Sequence, residues 1–216
     1  MRQYFGLQKK DFLKRIIGMS GQSIMIVGEN VYVNNMKQEN PPGSKFIRNG
    51  KNPKFPDTFS VKIPSPNEVI VIDNLEYKDF LFLYHLAKQE NANVEAEIHV
   101  YKNGEFQNSI PFSKVDNWIQ LKGYIEQMKS QINDISFSNL LKINGKVITE
   151  YKVKNDNFFV MGDNRDNSLD SRFYGFVNKQ SVKGKAKLIY WSIDSSEFII
   201  NVIKWVRWNR IGMNIL

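Results

Sequence analysis

Residues Gly162 to Gly175 read GDNRDNSLDSRFYG, and this stretch decides how the rest of the chain is read. It carries three Asp, two Arg, two Asn and two Ser in fourteen residues, too polar for a core strand. On its own it is a solvated loop. Its flanks argue for more: FFVM (Phe158 to Met161) precedes it and FYGFV (Phe173 to Val177) closes it, and such flanks hold a polar loop against a packed sheet. Asp163, Asp170, Arg15 and Arg172 can then pair and fix its shape.

The surrounding chain is ordinary globular material. It has 216 residues, a hydrophobic fraction of 42%, and 30 Lys and Arg against 22 Asp and Glu, a formal charge of +8 that favours anionic partners. Fifteen Phe, nine Tyr and four Trp can fill a core. With no cysteine, disulfides, Cys-ligated metals and thiol nucleophiles are excluded. The two histidines, His85 and His99, match no compact metal motif and read as structural or exposed. The apolar runs (Ile16 to Met19, Ile24 to Val27, Val69 to Ile72, Phe80 to Tyr84) fall short of the roughly 20 residues that span a bilayer, and the N-terminus has no signal-peptide core.

Upstream, Phe12 to Asn35 shows β-branched runs broken at Gly18, Gly21 and Gly28, which predicts a strand, a turn and a hairpin. Six of the seven prolines lie between Pro41 and Pro66, which predicts a long irregular connection. Leu75, Phe80, Leu83 and Leu86 are spaced for a helix over Asn74 to Ala87. Trp118, Leu121, Ile125, Met128 and Ile132 are spaced for a second over Asp116 to Ile132, with Ser113 as its cap. Asn103-Gly104 and Asn144-Gly145, each between extended runs, predict hairpins. The tail mixes Trp205, Trp208, Val202 and Ile203 with Lys204, Arg207 and Arg210, which suits a membrane interface or a packed terminal strand.

The second informative stretch is Phe12 to Gly21. If it is a strand, Phe12 and Ile16 share the face of Lys14, while Leu13, Arg15 and Ile17 point away. By spacing alone Lys14 is an edge-strand charge. FLKRIIGMSG (Phe12 to Gly21) followed by VYVN (Val31 to Asn34), and then MGDNRDNSLDSRFYGFV (Met161 to Val177), strongly resemble two signature boxes of the bacterial type I signal peptidases. The pattern G-D-N-x-x-x-S-x-D-S-R-x-x-G is matched at every fixed position, and the resemblance runs from about residue 12 to the C-terminus. The first turn reads Gly18-Met19-Ser20-Gly21-Gln22 where the family has G-x-P-G-D.

The resemblance implies a mainly β, two-lobed antiparallel fold with helical insertions. Residues 1–35 and 150–216 would form a catalytic β core lacking its upstream part, and 36–149 an inserted β-rich cap with two helices. It makes Lys14 the general base of a Ser/Lys dyad, Ser168 the hydroxyl that orients it, and Arg15, Asp163, Asn164, Asp170 and Arg172 structural support. A lysine acts as a base only when neutral, and lowering its pKa from about 10.4 to near 7 or 8 costs about 3 to 5 kcal/mol, which burial beside Phe12 and Ile16 would supply.

The family's nucleophilic serine lies upstream of the lysine in an S-M-x-P-T segment that this sequence does not contain. Ser20 and Ser23 follow Lys14 and lack that context. The expectation is therefore a C-terminal part of a longer enzyme, inactive alone. Its function would be removal of N-terminal signal peptides from exported proteins at the outer face of the cytoplasmic membrane, without metal or cofactor. Preprotein signal peptides and anionic lipids would be its partners. Two other readings stay open: a basic β-rich module binding nucleic acid, disfavoured because the positive charge is scattered, and another Ser/Lys peptidase such as a self-cleaving repressor domain.

Overall fold

The two Asn-Gly dipeptides set the largest sheet. In the computed structural model Asn103 and Gly104 take φ of 52° and 80°, and Asn144 and Gly145 take 50° and 79°, the left-handed pairs that a two-residue hairpin demands. The structure describes residues 3–5, 8–41, 44–46, 55–73, 75–115, 117–193 and 206–215. Two compact units are present, residues 1–182 and 183–216.

Within the first unit, β1 (Gln3–Phe5) and β2 (Gln8–Lys10) form a short hairpin. The strand and hairpin expected over Phe12 to Asn35 are β3 (Arg15–Met19), β4 (Ser23–Val27) and β5 (Asn30–Val33). β6 (Met36–Gln38) pairs with β5, and β7 (Thr58–Lys62) pairs with β4, giving the order β6-β5-β4-β7. β7 corrects the expectation of an irregular connection from Pro41 to Pro66. Thr58 to Lys62 is a proline-free run between Pro56 and Pro64, so its ladder is intact, and Phe59 is buried.

After β8 (Val69–Val71) comes α1 (Tyr77–Glu90), which starts and ends about three residues later than its spacing predicts. Asn74, the expected start, lies outside the described residues. The cap sheet follows: β9 (Val94–Lys102), β10 (Glu105–Pro111), β11 (Ile135–Ile143) and β12 (Lys146–Ile148), in the order β10-β9-β11-β12. α2 (Trp118–Gln131) lies between β10 and β11 in sequence. Its cap is Asn117, whose side chain accepts from the amides of Ile119 (3.1 Å) and Gln120 (3.0 Å), not Ser113. Only the residue directly before the first helical one can reach those amides, and Ser113 sits in a separate turn. Asp116 is outside the described residues.

The chain then returns through β13 (Glu150–Lys152), which pairs with β8, and β14 (Asn157–Met161), which lies between β3 and β15 (Val177–Asn178). Every strand pair among the described residues is antiparallel, and the fold is mainly β with helical insertions. One apolar core joins Ile24 and Phe59 of the small sheet, Phe80 to Ala87 of α1, Ile98 of the cap sheet, Leu121 of α2 and Phe159 of β14. α1 is therefore buried around most of its girth, because sheets from both parts of the chain close on it.

In the second unit two isolated antiparallel bridges are present, Leu188 opposite Asn214 and Ile193 opposite Val206. Trp205, Val202, Ile203 and Lys204 lie outside the described residues. Trp208 is 63% exposed and stands edge-on to Trp191.

His85 on α1 is structural. Its Nε2 is buried without a hydrogen-bond partner among the described residues, and burial, aided by the charge of Lys88, lowers its pKa from 6.5 to about 4. Between those values the unfolded chain takes up a proton that the folded chain refuses, so stability falls as pH drops from about 6.5 to about 4. The loss is about 3 kcal/mol. Denaturation of wild type and His85→Phe at pH 7 and pH 4 checks this: the variant should lose less stability on acidification, and equal losses would refute it.

Candidate active site

β14 is the element that assembles the site. It pairs with β3 from Met19 opposite Phe158 to Arg15 opposite Met161, with a bulge at Ile17. One step past the last pair, Lys14 faces Gly162, where the polar loop begins. A Cβ on Gly162 would stand 2.2 Å from Ser168 Oγ and 3.3 Å from Lys14 Nζ, so only glycine leaves room for both side chains.

Lys14 Nζ donates to Ser168 Oγ at 2.5 Å across 154 residues of sequence. The lysine pKa is lowered, first by burial and then by the Arg172 charge, with Asp170 opposing. The cover does not come from Phe12 and Ile16, as the strand pattern suggested. Both are about half exposed, Lys14 precedes the regular strand, and Gly162 and Ser168 close over the amine instead.

The four scaffold charges form two pairs. Arg15 donates through Nε and Nη2 to the two oxygens of Asp163, both at 2.9 Å, a bidentate pair about one-third exposed. That contact holds the Asp163 carboxyl below the usual range. Arg172 donates to both oxygens of Asp170 at 2.8 and 2.9 Å, and this pair is buried, with the aspartate side chain 0% exposed. Asp170 also accepts from the Gly162 amide at 2.9 Å and caps α3 (Ser171–Tyr174) through the Arg172 amide. Ser171 Oγ accepts from the Val160 amide at 2.9 Å. The loop is thus tied to β14 through Val160 and closed on its own first residue through Gly162.

Residues that sequence reasoning missed also hold it. The Lys45 amide donates to the Asp163 carbonyl and the Lys45 carbonyl accepts from the Arg165 amide, each at 2.9 Å, forming a parallel bridge opposite Asn164. Trp118 Nε1 donates to the Arg172 carbonyl at 2.7 Å. No pattern in the sequence announces either contact, since both join segments distant along the chain. Asn164 Oδ1 and Arg165 Nε are buried without a hydrogen-bond partner among the described residues.

Ser20 is committed elsewhere. Its hydroxyl accepts from the Asn157 amide at 2.7 Å and donates to the Asn157 carbonyl at 3.3 Å, past the far end of β3, about 20 Å of extended chain from Lys14. Ser23 begins β4 and is exposed.

An amine that gives one N–H to Ser168 has its lone pair turned elsewhere. With its charged form disfavoured by burial, it can take a proton from a hydroxyl brought to that side.

Known proteins are similar to this chain in sequence. The chain is 30% identical over 195 residues to signal peptidase I of Buchnera aphidicola subsp. Schizaphis graminum, covering 87% of this chain and 51% of that protein. It is 35% identical over 118 residues to signal peptidase I of Aquifex aeolicus, covering 51% and 43%. A shorter match, 37% over 70 residues, covers 32% of this chain and 24% of signal peptidase I of Helicobacter pylori. The chain spans about half the length, or less, of these curated relatives. Residues 5–191, from β1 past the whole polar loop, match the family described as signal peptidase, peptidase S26, and the chain belongs to that family.

Proposed function

We propose that this chain is the catalytic portion of a serine endopeptidase that removes N-terminal signal peptides from exported proteins, at the outer face of the cytoplasmic membrane. The observation that carries the reading is the 2.5 Å contact between Lys14 and Ser168, one from each box, around an amine whose pKa is lowered. Lys14 is the general base and Ser168 orients it. Arg15, Asp163, Asn164, Asp170 and Arg172 keep the loop in shape. Residues 1–35 and 150–216 supply the catalytic part and 36–149 the cap.

The nucleophile is a serine on a segment outside these 216 residues. Neutral Nζ takes its proton as Oγ bonds to the scissile carbonyl carbon. The tetrahedral species then collapses with rupture of the C–N bond, and the ammonium returns the proton to the leaving amine. Water, deprotonated by the same amine, releases the acyl group. Joining an upstream segment that carries the serine should create cleavage of a signal-peptide substrate, whereas the 216 residues alone should give none. Cleavage by the chain alone, lost on Lys14→Ala, would overturn the external nucleophile.

Anionic lipid is the second partner in this reading. No helix among the described residues is long and apolar enough to cross a membrane. The C-terminal unit nevertheless exposes Tyr190 and Trp191, and Trp208 between Arg207 and Arg210 in sequence, a mixture suited to a headgroup layer. The chain should co-sediment with anionic vesicles at low salt, and less so after Trp208→Ala. Equal recovery in the supernatant with and without vesicles would refute it.

A further inference from the structure

We infer that Trp118, in the first turn of the cap helix α2, is a positioning residue for the Lys14–Ser168 pair, acting through Arg172 and Asp170. The inference rests on the reading of Lys14 as the base. Trp118 is 6% exposed, so its indole N–H needs an acceptor inside the protein. That acceptor is the Arg172 carbonyl, 54 residues away, at 2.7 Å.

From there the links are short and buried. The Arg172 guanidinium grips both oxygens of Asp170 and also donates to the Arg165 carbonyl at 2.5 Å. Asp170 holds the Gly162 amide, and Gly162 is the residue whose missing side chain makes room for Lys14 Nζ and Ser168 Oγ. The same guanidinium lies over the rings of Phe55 and Phe173, at 5.5 and 5.8 Å, and Phe55 meets Trp118 edge-on. The cap thus grips the Arg172 peptide by hydrogen bond and its side chain through an aromatic intermediary.

Packing alone does not account for this. α3 is one turn of four residues, too short to hold itself, and its cap is Asp170, the very residue that must stay fixed. The Trp118 tie comes from a fourteen-residue helix seated in the core by Leu121 and Ile125. Loosening it lets water reach the lysine and reverses the burial that disfavours the charged amine.

The test uses the whole 216-residue chain and needs no catalysis. Nζ of Lys14 is titrated by NMR of ¹⁵N-labelled lysine, assigned with Lys14→Arg, in wild type, Trp118→Phe and Leu121→Ala. Trp118→Phe, which keeps an aromatic ring but no N–H, should raise the Lys14 pKa by about half a pH unit or more. Leu121→Ala, which weakens the same helix without touching that bond, should lower the thermal midpoint and leave the pKa in place. Equal shifts in both variants, or none in Trp118→Phe, would overturn the positioning role. A wild-type Lys14 titrating at its ordinary 10.5 would overturn the base assignment itself. Exchange of the Trp118 indole proton gives a readout independent of any variant: slow exchange supports the tie, and exchange as fast as an exposed indole refutes it.

Discussion

Lys14→Ala and Lys14→Arg should each reduce cleavage by about 10²- to 10⁴-fold in the chain joined to an upstream serine-bearing segment, with substrate binding little changed. Alanine removes the proposed base. Arginine keeps the length and charge, but its guanidinium cannot lose a proton at working pH, so it fails for a different reason. In the wild-type protein activity should rise with pH as Lys14 loses its proton, with a midpoint below 10.5 because burial disfavours the ammonium form. Single-turnover rates across pH 6 to 10 check both statements. Activity persisting in Lys14→Arg would place the base elsewhere.

The second large effect concerns the buried pair. Asp170→Ala leaves Arg172, 6% exposed, without its carboxylate and strips the Gly162 amide of its acceptor. Breaking such a pair from one side costs about 3 to 5 kcal/mol. Asp163→Ala breaks an equally well-shaped pair with Arg15, but in partial contact with solvent, where the loss is about 1 kcal/mol or less. Urea denaturation of the two variants should therefore separate them clearly. Similar costs would mean that burial does not rank these pairs as argued.

The sequence made some of this legible, for reasons that differ by residue. The Asn-Gly hairpins could be read because their left-handed turn geometry admits few residues. The face of α2 was legible as well: Trp118, Leu121 and Ile125 are buried as their spacing implies. The pairing of Lys14 with Ser168 was reached through the resemblance, since spacing gave only an edge charge. What covers Lys14 was misjudged, because strand alternation assigns faces but says nothing of Gly162, which arrives from the far end of the chain. β7 was hidden by the prolines around it. The ties from Lys45 and Trp118 are tertiary contacts with no local signature.

The 154 residues between Lys14 and Ser168 also bear on when the lysine amine is covered. Lys14 leaves the ribosome long before Ser168, and until β14 docks beside β3 nothing covers its amine. In that interval the side chain is hydrated and cationic, as in any unfolded segment, and unable to accept a proton. If Lys14 is the base proposed above, the tertiary fold is the activating step: a nascent or half-folded chain is chemically silent, and the amine becomes reactive only when the last third of the sequence has closed over the first.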